Sequence, residues 1–209
     1  MTDKQPIRFL DLFKYYRGGL PHQMAALQML GEQIPPALLS RDTEWFKVWS
    51  QGGKQSDLEE ALKLIRLFEG CRLRSYPDPA SGGAPFTIGY GTTRYRDGHA
   101  VLPGDEISQD QADQLLQDEA EHIAERLRTS IPFWGEMSNN QHCALISFAY
   151  NLGTEFYGAA GFSTISRTLR EKRWADIPAA LMLYRNPGSS VEAGLKRRRA
   201  AEGALWAKP

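Results

Sequence analysis

Three side chains capable of acid–base chemistry lie within nineteen residues of one another: Glu69, Asp78 and Thr87. A protonated carboxyl group can give a proton to a leaving oxygen, and an ionised carboxylate can activate a water molecule. Hydrolysis of a glycosidic bond uses this pair of roles. Each residue also has an ordinary structural explanation, as a helix-edge Glu, a turn Asp and a strand Thr. The chemistry therefore depends on the elements that hold the three side chains.

Glu69 is predicted to lie near the end of a helix over residues 56–70. Ser56 and Glu59 form a capping-box pattern, apolar residues recur at the helical period, and Gly70 provides a stop. The period places Glu69 on or beside the apolar face, in the last turn, where the helix dipole disfavours negative charge. Both effects favour the protonated carboxyl group, the form that a general acid needs. The alternative is a Glu that reaches water from the edge of the face.

The next segment changes period and predicts a small antiparallel sheet. RLRSYPDP contains two prolines, SGG makes a turn, and FTIGYGTT alternates apolar residues with Thr87 and glycines. Asp78 falls in the polar turn, which keeps it ionised, whereas Thr87 faces away from Phe86 and Ile88. The sequence thus offers one carboxyl group suited to protonation and one suited to ionisation.

Helical patterns return after Ile107 and continue to the C-terminus. Ser108 and Gln111 form a second capping-box pattern. Later helices are predicted in NNQHCALISFAYNLG, STISRTLREKRWADIPAALMLY and VEAGLKRRRAAEGALW. This order predicts an α+β fold, mostly helical, with a small antiparallel sheet and a ligand cleft between the sheet and the helices.

The composition is that of an ordinary globular chain of 209 residues, 42% hydrophobic and 24% charged. Lys plus Arg and Asp plus Glu each total 25, so no global field attracts nucleic acid or anionic lipid. The N-terminus lacks a signal-peptide pattern, and no apolar run is long enough to span a bilayer. We expect neither a nucleic-acid partner nor stable membrane association, and we expect synthesis in the cytoplasm.

Two cysteines and four histidines bear on cofactors. Cys71 and Cys143 are expected to remain unpaired as small buried hydrophobic residues. The histidines show no metal-ligand spacing with either cysteine or with each other. We therefore expect no metal and no other cofactor.

FEGCRLRSYPDP followed by TIGYGTT resembles the catalytic signature of the phage-type lysozymes, in which a Glu, an Asp and a Thr form the active triad. Glu69, Asp78 and Thr87 match those positions one by one. The similarity continues through ISQDQADQLLQDE, QHCALISFAYNLG, AGFSTISRTLREKRW and GLKRRRAAEGALW, and covers about residues 56–207. The resemblance implies a lysozyme-like fold.

The resemblance also implies an activity: a muramidase that hydrolyses the β-1,4 bond between N-acetylmuramic acid and N-acetylglucosamine, with inversion and no cofactor. Glu69 would protonate the leaving oxygen, while Asp78 and Thr87 would position or activate the water. Tyr76 and Asn151 are expected to bind substrate, although an Asn near a helix end is more often a cap. The implied partner is bacterial peptidoglycan, and the protein is expected to be a monomer. It is expected to stay in the host cytoplasm until the membrane opens, and then to cause lysis of the host cell.

The polar segment SQGGKQ, residues 50–55, predicts a linker between two domains. Residues 1–52 are predicted to be a small helical module, and residues 56–207 the catalytic domain. The aromatic residues around Trp45 and Trp49 either stack on sugar rings or form the core of the module. We hypothesise that this module binds the cell wall.

Some features depart from the family pattern, and two alternative functions are compatible with the sequence. Eight residues separate Asp78 from Thr87, more than in the shortest family members, and Thr92 stands where many relatives have His. The basic run 196–202 is expected to be a solvated helix face. Two other functions remain open: a lytic transglycosylase, which closes the sugar on itself to an anhydro product, and a noncatalytic wall-binding phage protein that kept the fold.

Overall fold

The computed structural model describes residues 58–78 and 81–209, in which a short helix and a hairpin precede a series of helices. The helices are α1 (Glu59–Glu69), α2 (Gln109–Ser130), α3 (Asn139–Leu152), α4 (Ser163–Arg170), α5 (Ile177–Leu181) and α6 (Glu192–Trp206). The strands β1 (Arg72–Pro77) and β2 (Phe86–Gly89) pair antiparallel. The predicted α+β arrangement, mostly helical with a small antiparallel sheet, is confirmed.

Helix α1 presents one apolar face to the core and ends at the predicted glycine. The buried residues of this face are Ala61, Leu62 and Ile65. Gly70 has φ +67°, a backbone conformation that glycine adopts without steric penalty, and its N–H donates to the carbonyl of Arg66. Leu58 is the N-cap, and the predicted capping residue Ser56 lies outside the described residues.

Helix α3 forms the centre of the core. All seven residues from Cys143 to Ala149 are buried, which is typical of a helix enclosed on every side. It packs against α1, α2 and α6. A capping box of Ser138 and Gln141 begins α3, and the predicted box of Ser108 and Gln111 begins α2. The central position of α3 means that its polar residues meet side chains from several other helices.

The helix predicted over residues 163–184 is wrong as a single element. Helix α4 stops at Arg170, and α5 begins only at Ile177. Between them Lys172 adopts φ +53°, in the left-handed region that interrupts a right-handed helix. Pro178 lacks a backbone N–H and is therefore accommodated in the first turn of α5.

The two cysteines are free, as predicted, but only one of them is buried. Cys143 lies in the core, whereas Cys71 is exposed, contrary to the prediction. Cys71 directly precedes β1, at the start of the hairpin. The prediction failed because this hairpin keeps one end open to solvent.

The chain divides into two units between Lys54 and Gln55. The helices predicted in residues 1–52 lie outside the described residues, so the domain assignment remains a prediction. In the described part of the chain, no helix combines the length and apolarity needed to cross a bilayer. Within that same part, no group of three or more His, Cys, Asp or Glu is arranged to hold a metal ion.

Candidate active site

Glu69 is the last residue of α1, as the sequence predicted, and its side chain is 26% exposed. Arg198 Nη1 donates to Glu69 Oε1 at 2.5 Å, and the Arg198 guanidinium lies 5.8 Å from the ring of Phe68. The sequence predicted an apolar helix face and a helix end beside Glu69, and the structure adds Arg198, a contact that the sequence did not predict.

Asp78 and Thr87 lie at the same end of the hairpin. Tyr76 is paired with Thr87, and Pro77 with Phe86, so Asp78 is the first residue beyond the paired part of β1. Backbone groups of the following turn form hydrogen bonds with Asp78. Ser81 N–H donates to Asp78 Oδ1 at 2.8 Å. In addition, the Asp78 carbonyl accepts from Gly82 N–H at 2.8 Å, and its N–H donates to the Gly83 carbonyl at 3.0 Å. Asp78 is thus fixed by local contacts, as expected of a turn residue.

Two tyrosines, Tyr76 of β1 and Tyr150 of α3, interact electrostatically in this region. The Arg72 guanidinium lies 4.4 Å from the centre of the Tyr76 ring, in cation–π geometry. The hydroxyl of Tyr150 donates to the carbonyl of Tyr90 at 2.9 Å. Burial, with a smaller contribution from the charge of Glu69, raises the pKa of Tyr150 and keeps its phenol protonated. Tyr150 was not predicted from the sequence, and its hydrogen bond connects α3 to the backbone beyond β2.

Asn151, the predicted sugar-binding residue, lies at the end of α3 and contacts a buried arginine. Arg199 Nη2 donates to Asn151 Oδ1 at 2.9 Å and to Glu202 Oε1 at 3.2 Å. Arg198 Nε also donates to Glu202 Oε1, at 3.2 Å. A continuous set of contacts therefore joins Glu69 to Asn151 through Arg198, Glu202 and Arg199, which we call the buried charge cluster.

The buried charge cluster corrects the expectation for residues 196–202. Lys196 and Arg197 are exposed, as a solvated basic face requires, but Arg198, Arg199 and Glu202 are buried. Their charges are accommodated because α1 and α3 supply partners. A sequence signal for this burial exists: these three residues repeat at helical spacing with the apolar residues Leu205 and Trp206, which are also buried.

A cavity of about 610 Å³ lies beside Tyr150, between residues 91–98 and helix α2. Its polar lining includes Thr92, Tyr95, Asp118, Glu119 and His122. The volume is in the range of small-ligand sites. Among the described residues that line this cavity, none is Glu69, Asp78 or Thr87, whereas Tyr150, which interacts electrostatically with Glu69, is one of them.

Thr92, where the family pattern often has His, closes a tight turn with its backbone. Its N–H donates to the Ile88 carbonyl at 2.9 Å, and its carbonyl accepts from Ile88 N–H at 2.9 Å. Gly91, inside this turn, has φ +119°, which glycine permits. The turn is therefore held by the main chain, and the Thr92 side chain is left at the cavity wall.

A model of the phage lysozyme family matches residues 66–202, a segment that contains Glu69, Asp78, Thr87 and Asn151. The endolysin of Bacillus phage PZA is 33% identical over 148 residues, which are 71% of this chain but 54% of that endolysin. The chain thus spans about half the length of this relative.

Solved structures with the same fold include two proteins 28% identical to this chain. The endolysin from Escherichia coli O157:H7 phage FAHEc1 has a TM-score of 0.61, with 71% of this chain and 91% of that chain covered. The muramidase domain of SpmX from Asticaccaulis excentricus has a TM-score of 0.58, with 71% and 95% covered. The predicted lysozyme-like fold is confirmed.

Proposed function

We propose, from the premise that this chain belongs to the phage lysozyme family, that it is a muramidase acting on bacterial peptidoglycan. The reaction is hydrolysis of the β-1,4 bond between N-acetylmuramic acid and N-acetylglucosamine. One observation carries the proposal: an accessible Glu69 ends α1, and Asp78 and Thr87 follow at one end of the next hairpin, inside the segment that matches the family.

Glu69 is the general acid in this proposal. It gives its proton to the leaving sugar oxygen as the glycosidic bond breaks. Its partial exposure allows substrate to reach it. Among the described residues, Arg198 is the hydrogen-bond donor to its Oε1, while its Oε2 accepts no hydrogen bond. Oε2 is therefore the oxygen available to carry the proton toward the substrate.

Asp78 and Thr87 act on the water in this proposal. A carboxylate next to the attacking water removes its proton, and a hydroxyl group helps to fix the position of that water. The two residues lie at the same end of the hairpin, and the backbone contacts of the Asp78 turn hold the carboxylate in place. Water activated on the face opposite the acid inverts the anomeric carbon.

Asn151 contributes a hydrogen-bond donor to the sugar. Because Oδ1 of Asn151 accepts from Arg199, its amide NH₂ group is oriented away from that arginine. Asn151 is half-buried at the end of α3, so an N-acetyl or hydroxyl oxygen of the substrate can meet the NH₂ group. Tyr76, with one face covered by Arg72, offers its remaining face or its phenol to the glycan.

Product analysis of digested sacculi tests the reaction. Hydrolysis gives reducing N-acetylmuramic acid ends that gain the mass of water, and an inverting enzyme releases the α-anomer first. Mass spectrometry gives the end group, and NMR of fresh digests gives the anomer. Anhydromuramic ends would identify a transglycosylase instead, and binding without products would identify a noncatalytic wall-binding protein.

Glu69→Gln keeps the shape of the side chain and removes its titratable proton. We expect kcat for sacculus digestion to fall by about 10²–10⁴, the usual contribution of a general acid. Glu60→Gln is the matched control, since Glu60 lies on the same helix and pairs with Lys63 at 2.9 Å. Full activity in Glu69→Gln would reject the assignment of the acid.

The relatives named endolysins support a biological role in lysis of the bacterial host. We propose that the protein waits in the cytoplasm and reaches the peptidoglycan after another component opens the membrane. Expression in a bacterial host should leave the cells intact until the membrane is permeabilised. Lysis without permeabilisation would contradict this order of events.

A further inference from the structure

We propose that Glu202 is a positioning residue for the acid: it fixes Arg198 against Glu69, fixes Arg199 against Asn151, and offsets the positive charge of the two guanidinium groups. This inference rests on the proposed function, in which Glu69 must carry a proton. Glu202 itself is fully buried and touches no substrate. It acts only through its two arginine neighbours.

One oxygen of Glu202 gathers three donors from two helices. Ser147 Oγ, from α3, donates to Oε1 at 2.9 Å. Arg198 Nε and Arg199 Nη2, from α6, each donate to the same atom at 3.2 Å. Three donors that converge on one oxygen favour the carboxylate form and fix its direction.

Each of the three guanidinium nitrogens of Arg198 donates a hydrogen bond. Nε donates to Glu202, Nη2 donates to the carbonyl of Ser147 at 3.0 Å, and Nη1 donates to Glu69. Only 4% of the Arg198 side chain is exposed. The Nε and Nη2 contacts fix the orientation of the planar guanidinium group and therefore the direction in which Nη1 points. They thus determine where the carboxyl group of Glu69 is held.

Arg199 has fewer of its N–H groups in hydrogen bonds than Arg198, which is unusual for a buried cation. Its Nε lies 2.9 Å from Glu202 Oε2 but is not aligned for a hydrogen bond, and among the described residues its Nη1 has no hydrogen-bond partner. Its guanidinium lies 4.7 Å from the centre of the Phe148 ring. Burial lowers the pKa of Arg199 to about 10. An apolar side chain would suit this position better, so we attribute the arginine to its contact with Asn151.

The charges of the cluster balance only when Glu202 is counted. Arg198 and Arg199 are two cations, and Glu69 and Glu202 are two anions. When Glu69 takes up its proton, the remaining charge is +1 with Glu202 present and would be +2 without it. Because excess positive charge disfavours a protonated carboxyl group, the role proposed for Glu202 is to offset one of the two cations beside Glu69.

The titratable and charged groups near Glu69 come from several elements. Those that interact electrostatically around Tyr150 of α3 are Glu69 of α1, Glu119 of α2, Arg198 of α6 and Tyr76 of β1. Burial raises the pKa of Glu202, while the two arginines act in the opposite direction. Glu202 is the one of these anions that contacts both guanidinium groups directly.

Glu202→Gln removes the charge and keeps the volume of the side chain. We expect the alkaline limb of the kcat/KM profile on sacculi to move about one pH unit lower, because the substitution removes one negative charge near Glu69. We also expect kcat at the optimum to fall about 10-fold. Glu192→Gln is the matched control on α6, since Glu192 pairs with Arg185 at 3.1 Å, away from the site. A folded Glu202→Gln with the same profile and kcat as Glu192→Gln would overturn the proposal.

A second variant covers the case in which Glu202→Gln does not fold. Replacing Arg199 and Glu202 together by Met removes one cation and one anion, and apolar replacement of a buried ion pair is often tolerated. The charge beside Glu69 is then unchanged, so the alkaline limb should stay at the wild-type pH. The anchor of Arg198 is lost, so kcat should still fall about 10-fold, and KM should rise because Asn151 loses its donor. Wild-type kcat and KM in this variant would overturn the proposal.

The same measurements separate this inference from the proposed function. If the wild-type protein releases no reducing ends, or if Glu69→Gln stays active, the proposed function is wrong and the inference loses its basis. If the wild-type protein and Glu69→Gln behave as proposed, but neither Glu202 variant differs from Glu192→Gln, then the positioning role alone is wrong.

Discussion

The two carboxylates of the candidate site are held in different ways. Glu69 depends on Arg198, which is 129 residues away in the sequence and is itself fixed by buried groups of α3 and α6. Among the described residues, Ser81, Gly82 and Gly83 hold Asp78 through their backbone groups. One residue is positioned by tertiary packing and the other by the local geometry of a turn.

Because of this difference, substitutions around Glu69 and substitutions of Asp78 should affect stability and activity to different extents. A residue positioned by buried charges cannot lose its partner without leaving other charges unpaired, so a change there affects folding and rate together. A residue in a locally held turn can lose its charge while the turn persists, so a change there affects mainly rate.

The largest effect is expected for Arg198→Met. The substitution leaves Glu69 without its donor, and Glu202 and the Ser147 carbonyl each lose one. We expect the free energy of unfolding to fall by about 3–5 kcal/mol, as when one partner of a buried ion pair is removed. Urea denaturation measures the change, and sacculus digestion should slow in parallel. Wild-type stability in this variant would show that the cluster contributes nothing to folding.

A smaller overall effect, confined to rate, is expected for Asp78→Asn. The amide oxygen can still accept from Ser81 N–H, so the turn and the melting temperature should be preserved. Loss of the negative charge should lower kcat by about 100-fold, because the water loses its base. Asp78→Ala is the comparison, since it also removes the turn hydrogen bond. If Asp78→Asn lost stability as well, the contrast between local and tertiary positioning would fail.

The smallest effect is expected for Arg66→Gln on α1. Arg66 pairs with Asp113 of α2 at 2.9 Å, but about a third of each side chain is exposed. We therefore expect a loss of about 1 kcal/mol or less. Hydrogen bonding from Gln109, together with Arg66, lowers the pKa of Asp113, so this stability is present above the ordinary Asp value of 3.8 and is lost as the pH falls below it.

Urea denaturation at two pH values checks this prediction. The difference between wild type and Arg66→Gln should shrink between neutral pH and pH values below 3.8. A loss as large as that of Arg198→Met would mean that burial does not distinguish the two arginines.

The sequence predicted the features that depend on neighbouring residues. The capping box at Ser108, the stop at Gly70 and the hairpin that carries Asp78 and Thr87 all follow from short patterns, and all are present. The break between α4 and α5 was not predicted, because helical periodicity continues across Lys172 although its backbone does not.

The buried charge cluster was not predicted for a different reason. Four consecutive basic residues, 196–199, resemble a solvated face, whereas two of them are buried against partners on α1 and α3. Those partners are far apart in the sequence, so no local pattern contains them. The catalytic roles of Glu69, Asp78 and Thr87, and substrate binding by Tyr76 and Asn151, stay predictions until the variants are measured.

The two cysteines differ in exposure, which gives the protein a single accessible site for a fluorescent label. Cys71 is exposed two residues after Glu69, whereas Cys143 is shielded in the core. A maleimide dye should therefore react at a single thiol of the unmutated protein, since alkylation requires an accessible thiolate. Fluorescence from that position would report the arrival of glycan at the end of α1 without any engineered label site.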